Sequence, residues 1–555
     1  MVDIMNCENL PQEVKFSREG LSWKNKPVGS FFPRVICRIM AESENGIQEF
    51  VRVCCVFSNG SSSICDLPLA GLENIRWLEV NENFQINPDC TKAGKYLAYI
   101  IQYALSSAVV EKAYAINRLG VHVIEGEPMF YTGDRLIRSP NTNKNLVTML
   151  ESLPQVLAVD LERYSKSQAF HGMMKIISLS PDAGKIIFFH SLLSIMRAMY
   201  IDIGITPRCI VYLVGSSGSH KTTYAAFHTQ LFDRDKGITS PIRLNASIPA
   251  AEALLYENHD CTVILDDLFP AGMSQIKRNQ ETTLIELTRI IGDNIGRARM
   301  SGKRMVARQP RCGVIITGEY LIGTGSDAAR LLPIRVTSPI DFTRFQECQN
   351  EPLLLSSFYF YFIEWFIEHY NEVRELLAKW LNAFRKKNLG VHARLQETYF
   401  CLETTCRIFL LYSEKQDFIT IENAQKQIQS FNSLLLNLVK AQNERVNQVA
   451  NNKPSQVDFL GLICSLYKSD GFRLADSIEQ LKDKHDGLIH GDYLCLRGVK
   501  LMKKIYQFVP TTNLNEVINA LVAKDALKQG SDRRSIQITG GGGKRFYAIR
   551  LSKLR

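Results

Sequence analysis

The sequence has 14 cysteines but no C-x-x-C pair. Zinc fingers and ribbons are built on such pairs, so a structural zinc site is not expected. Cys54 and Cys55 are adjacent, and Cys401 and Cys406 have no matching histidine pair. Reduced, mostly buried thiols follow, as in a reducing compartment. No run reaches eighteen apolar residues. The nearest, 353–363, is interrupted by Ser356 and Ser357 and ended by Glu364. That is too short to cross a bilayer and reads as a buried helix, so no membrane partner is expected. The N-terminus, M-V-D-I-M-N-C-E-N, lacks a basic stretch leading into an apolar one. It carries no secretory signal, and a cytoplasmic location is expected. Internal repeats and low-complexity tracts are also missing.

What is present describes a globular chain, with 45% apolar and 22% charged residues. Its 555 residues exceed what one core organises, so three or four domains are expected. The net charge is +10, and residues 454–555 supply +7 of it, with 17 Lys and Arg against 10 Asp and Glu. Such asymmetry suits nucleic-acid binding, although a merely soluble basic domain has the same composition.

The patterning predicts a mixed α/β N-terminal accessory domain over 1–150. It has two strands around Asn59-Gly60 and a helical stretch near Lys92 to Asn117. A long apolar helix is predicted over 181–203. Alternating strands and helices follow to about 340, the pattern of an open parallel sheet, and the core is placed at 151–345. Residues 346–450 read as helical, with Phe358, Phe362, Trp365 and Phe366 spaced for core packing. N-N-K-P at 451–454 reads as a linker. In 454–555, helices precede I-Q-I-T-G-G-G-G-K-R-F-Y-A-I-R-L, a basic hairpin with a glycine loop, which suggests a winged helix.

The chemistry concentrates at 209–223, C-I-V-Y-L-V-G-S-S-G-S-H-K-T-T. An apolar strand enters a loop of small residues closed by Lys221 and Thr222. This is the pattern of a P-loop, whose backbone N–H groups face phosphate oxygens at a helix N-terminus. Gly215 and Gly218 permit the turn, and Ser216, Ser217 and Ser219 are small. Lys221 reaches the β- and γ-phosphates of ATP, Thr222 holds Mg2+, and Thr223 completes the segment. His220 stands where the second glycine belongs, so it must adopt a backbone shape that glycine takes readily. Histidine is among the side chains tolerated in the left-handed region.

Three further signals follow in order. C-T-V-I-L-D-D-L (261–268) is an apolar strand ending in two carboxylates. Asp266 would bind magnesium through water, and Asp267 would polarise the attacking water. C-G-V-I-I-T-G-E-Y (312–320) places Thr317 at a strand end, to sense the γ-phosphate or orient water. Between them, N-I-G-R-A-R-M-S-G-K-R-M-V-A-R (294–308) forms two short strands around S-G-K, with Arg297, Arg299, Lys303, Arg304, Arg308 and, just beyond, Arg311. Its tip, Lys303 and Arg304, suits gripping the phosphates of a DNA strand; a solvated basic hairpin is the other reading. In G-S-D-A-A-R-L-L-P-I-R-V, Arg330 is the candidate guanidinium presented to a neighbour's γ-phosphate, and Arg335 the structural one.

The order P-loop, D-D strand, basic hairpin, T-G-E strand and A-A-R segment resembles the AAA+ ATPases of the pre-sensor-1 hairpin group, which includes MCM and superfamily 3 helicases. It is most similar to the MCM-like self-loading replication helicases of staphylococcal cassette and pathogenicity-island elements. His220 and Asp267 depart from that pattern. The resemblance implies an AAA+ motor with a helical lid and a C-terminal winged helix, working as a homo-oligomer, a hexamer, on single- and double-stranded DNA with ATP and Mg2+. It also implies a nucleotide-facing role for Arg394 at the start of a lid helix, where a surface arginine is the other reading. Three readings stay open: a signalling P-loop ATPase that does not translocate, a small-molecule kinase, and a non-enzymatic origin-binding initiator.

Overall fold

The computed structural model describes residues 11–554 except 18, 44–45, 75–83, 108, 140–143, 150–155, 230, 233–240, 245, 269–273, 302–303, 324, 337–339, 451–457, 507, 510–511, 529–533 and 540–542, and, for side chains, 267, 274–278, 301, 304–306, 342 and 448–450. The chain is α/β and divides into two compact units. One comprises Met1–Ala158 with Arg297–Arg308 and Phe360–Tyr370; the other Val159–Gly296 with Gln309–Tyr359 and Asn371–Arg555.

In the first unit a five-stranded sheet has the long hairpin Phe31–Ser43/Gly46–Phe57 at its centre. The expected turn at Asn59-Gly60 joins Gly46–Phe57 to Ser62–Pro68, which pair antiparallel from Phe50↔Pro68 to Val56↔Ser62. Inward positions alternate along these strands: Val51, Val53, Cys55 and Phe57 are buried, and helix Ala93–Ser107 contributes Leu97, Ile100 and Ile101 to the same core. The helical expectation over 92–117 holds only as far as Ser107. Glu111–Ile116 is a strand, parallel to Phe31–Ser43 from Cys37↔Glu111 to Met40↔Tyr114. Its E-K-A-Y-A-I pattern has period two, and buried Ala113 and Ala115 are small enough to sit against a neighbouring strand.

The second unit is built on a five-stranded parallel sheet. Its order is Ile242–Arg243, Thr262–Leu268, Gly313–Gly318, Ile210–Val214, Leu331–Arg335. Ile210–Val214 is buried at all five positions, as a central parallel strand covered on both faces must be. Of the 15 residues of helix Pro181–Ile195, 12 are buried, which explains why it is apolar all round. The apolar stretch does not run unbroken to Ile203: Met196 leaves helical geometry, and a short helix Arg197–Asp202 follows. Gly313 lets its strand lie against that first helix, since a Cβ there would sit 1.9 Å from Ser194 Oγ.

From 342 to 450 the chain is helical as expected, in five helices from Phe342–Gln349 to Ile421–Ala450. Phe358, Phe362, Trp365 and Phe366 are all buried. Tyr200 pins helix Ala393–Lys415 to the sheet unit through its hydroxyl, bonded to the Thr404 and Thr405 side chains at 2.9 and 2.8 Å. The linker expected at 451–454 lies outside the described residues. Beyond it, strands Ile536–Gln537 and Arg545–Arg550 pair antiparallel as expected. They belong to a five-stranded sheet that includes a second hairpin, Gly487–His490/Tyr493–Leu496, absent from the sequence reading because each strand has only four residues. No described helix is long and apolar enough to cross a membrane, and the thirteen described cysteines are all unpaired.

Candidate functional site

Parallel strands end at one edge of the sheet, and ligands in such sheets bind outside those carboxyl ends. Here the loops after Val214, Leu268 and Gly318 converge. They enclose a cleft of about 280 Å³ lined by Ser217, Gly218, His220, Lys221, Thr222, Thr223, Asp266, Leu268, Thr317, Gly318 and Glu319. The predicted residues Lys221, Thr222, Asp266 and Thr317 therefore meet, although 96 positions separate the first and last.

A register shift sharpens the arrangement. Thr262–Leu268 pairs regularly with its neighbour up to Leu265↔Ile316 and resumes at Leu268↔Gly318. Asp266 and Asp267 thus oppose Thr317 alone, a bulge of the kind that re-aims side chains beside functional sites. The Thr222 hydroxyl donates to Asp266 Oδ1 at 2.9 Å and lies 3.1 Å from Thr317 Oγ1. Thr317 Oγ1 also donates to Asp266 Oδ1. The side chain of Asp267 lies outside the described residues.

The loop itself has the shape a phosphate cradle requires. Gly218 has φ +81°, and His220 has φ +57°, so histidine does occupy the left-handed region. Helix Lys221–Thr229 starts immediately after it. Lys221 Nζ donates to the Ser216 carbonyl at 3.4 Å. The Ser219 hydroxyl is buried without a hydrogen-bond partner among the described residues. The loop is tied to its neighbour by Gly215 N–H donating to the Gly318 carbonyl at 3.1 Å. Thr222 and Asp266 are adjacent hard-oxygen donors, the type Mg2+ takes together with phosphate oxygens and water. No cluster of three or more His, Cys, Asp or Glu able to form a metal cage occurs among the described residues. These donors suit a magnesium ion that arrives with phosphates.

Glu319 lines the cleft and was missed by the sequence reading. The signal was in the T-G-E segment, where a carboxylate directly follows a strand ending at a P-loop.

The two arginines assigned catalytic roles lie together, away from that cleft. Arg330, expected to face a neighbouring subunit, is instead buried, with a side chain 7% exposed. The 3-10 turn Ala328–Arg330 directs it inward. It donates to both Asp293 carboxylate oxygens at 2.8 and 2.9 Å and to the Ser326 carbonyl at 2.6 Å. Arg394 donates to Asp293 at 2.8 Å, so in this structure it faces an acid and not the P-loop. Asp293 ends helix Ser274–Asp293, which no local pattern connects to Arg330. Arg335, read as structural, is exposed at its strand end opposite Val214.

The basic hairpin forms as expected, with Ala298–Ser301 antiparallel to Arg304–Ala307. Lys303 and the Arg304 side chain lie outside the described residues. Arg311 does not belong to it: its guanidinium lies 4.0 Å from the Tyr256 ring centroid and 2.7 Å from His259 Nε2.

With this geometry in place, one solved structure matches over the full length. The SCCmec type IV Cch active helicase covers 99% of this chain and 99% of its own at 14% identity, with a TM-score of 0.51. The two chains share a fold. Two JCV helicase structures align over about half of this chain at 16% and 14% identity, with TM-scores of 0.25 and 0.24, too low to carry an argument. No protein-family profile and no curated protein sequence matches.

Proposed function

We propose that the chain is an ATP-driven DNA helicase, an AAA+ motor that unwinds duplex DNA in the replication of a mobile genetic element. The observation that carries this reading is the cluster of Thr222, Asp266 and Thr317 beside Lys221, beneath a left-handed phosphate loop. The full-length likeness to a helicase fold supports it.

In this reading the loop amides and Lys221 bind the β- and γ-phosphates, and Thr222 and Asp266 hold Mg2+. The ion offsets phosphate charge. Thr317 orients the attacking water, and a carboxylate at the strand ends polarises it. Residues 346–450 act as the helical lid and 454–555 as a winged helix on duplex DNA. The hairpin tip at Lys303 and Arg304 grips one strand inside a hexamer. Arg330 acts across a subunit boundary only if assembly draws it away from Asp293 and Asp327.

Strand displacement on forked DNA by wild type and Lys221→Ala tests the reading, together with single-strand-stimulated ATPase in Lys303→Ala/Arg304→Ala. Wild type displaces a strand on one fork polarity, Lys221→Ala on neither, and the hairpin variant loses DNA stimulation. Hydrolysis without displacement on either polarity rejects the helicase and leaves an ATPase that switches without translocating.

A further inference from the structure

We propose that Glu319 is the carboxylate that takes the proton from the attacking water, a role resting on the reading of this cleft as an ATPase site. Hydrolysis needs one group to hold the metal and another with a lone pair open to water. Asp266 fills the first role: its Oδ1 accepts from both Thr222 and Thr317, committing it to the hydroxyls beside the metal position. Glu319 differs. It lines the same cleft, is half-buried, and its carboxylate has no hydrogen-bond or ion-pair partner among the described residues.

Its position is fixed by backbone rather than by side-chain contacts. The peptide before it is held at both ends: the Gly318 carbonyl accepts from Gly215 N–H at 3.1 Å, and Glu319 N–H donates to the Leu268 carbonyl at 2.9 Å. Gly318 has no room for a side chain, since a Cβ would lie 2.8 Å from the Tyr212 hydroxyl and 3.1 Å from Leu268 Cβ. On the far side, Tyr320 is anchored by its hydroxyl, which donates to Glu281 at 3.0 Å, and by its carbonyl, which accepts from Tyr212. The segment 318–320 is thus pinned to the phosphate loop, the carboxylate strand and helix Ser274–Asp293. A carboxylate on so constrained a backbone meets the demand of general-base catalysis for a fixed approach to water.

The step balances simply. Water oxygen bonds to the γ-phosphorus as the bond to the β–γ bridging oxygen breaks. The water proton passes to Glu319, ADP leaves with the bridging oxygen, and the proton returns to solvent with release of phosphate.

The test separates binding from chemistry. Equilibrium binding of Mg-ATP and single-turnover hydrolysis of γ-labelled ATP are measured for wild type, Glu319→Gln, Asp267→Asn and Lys221→Ala. Glu319→Gln is expected to bind Mg-ATP within about twofold of wild type but to hydrolyse it roughly 10²–10⁴-fold more slowly. Its bound nucleotide is recovered as ATP. Retained affinity shows the glutamine variant folded with its phosphate loop intact. Glu319→Gln hydrolysing within about threefold of wild type, with Asp267→Asn inactive, overturns the proposal and moves the base to the bulge. A tenfold loss of affinity in Glu319→Gln also overturns it, since the carboxylate then serves binding. Wild type binding no Mg-ATP would instead reject the ATPase reading itself, and the proposal with it.

Discussion

Arg330→Ala separates a buried structural arginine from one held out to a neighbouring subunit. The Arg330 side chain is 7% exposed, and the acids it meets, Asp293 and Asp327, are 33% and 8% exposed. Removing one partner of a buried ion pair costs about 3–5 kcal/mol, because the remaining charge is left desolvated. Here both acids keep a second cation. Asp327 accepts from Arg289 at 2.8 and 2.9 Å, and Asp293 from Arg394 at 2.8 Å. The expected cost therefore sits at the lower end, about 3 kcal/mol. In a unit of this size each kcal/mol moves the melting temperature by roughly 2–4 °C, so a fall of roughly 6–12 °C is expected. Thermal unfolding of Arg330→Ala, Asp293→Ala and the double variant reads this directly. The double variant should recover at least about 1 kcal/mol relative to additivity, since the residues touch. A melting temperature unchanged within about 2 °C, with ATP hydrolysis lost only in the assembled oligomer, would refute the buried pairing and restore the trans-acting role.

Three other outcomes are expected. Gly292→Ala should destabilise the same network by about 1–3 kcal/mol, because its Cβ would lie 2.4 Å from Arg330 Cδ; equal melting temperatures would contradict this packing. At position 220, glycine should leave stability within about 1 kcal/mol of wild type, since relief of left-handed strain is offset by glycine's greater chain entropy. His220→Val should weaken Mg-ATP binding, because a β-branched residue resists φ +57°; equal nucleotide affinity in the two variants would show the loop is not held there. Burial holds His190 near pKa 4 and His228 near 3, against an ordinary 6.5. Both stay neutral in the folded chain while the unfolded chain takes up protons. Their contribution is complete above pH 6.5 and is lost as pH falls toward 4, at up to about 1.4 kcal/mol per pH unit for each. His228→Leu should flatten that slope in a melting series from pH 7 to 5, and an unchanged slope would count against it.

Much of the site was legible because its signals are local. A buried strand followed by small residues and Lys-Thr has few other uses, and five consecutive buried positions in Ile210–Val214 bear out the strand. The helical region also followed from period, as did the Asn59-Gly60 hairpin. Where the reading failed, locality failed. Glu111–Ile116 looked like the tail of a helix until a neighbouring strand claimed it. Four-residue strands such as Tyr493–Leu496 leave too short a pattern to register.

The sequence by itself determined which strand ends carry chemistry, since each motif joins an apolar run to a polar residue within a few positions. Tertiary structure alone decided what those residues meet. The bulge that sets Asp266 against Thr317 depends on the register between two strands roughly fifty residues apart. The pinning of Glu319 depends on backbone groups from two other loops. Arg330 and Arg335 differ little in local pattern, yet one is buried against Asp293 and the other is exposed. Charge pairing across such sequence distances is fixed by packing, which no local pattern encodes.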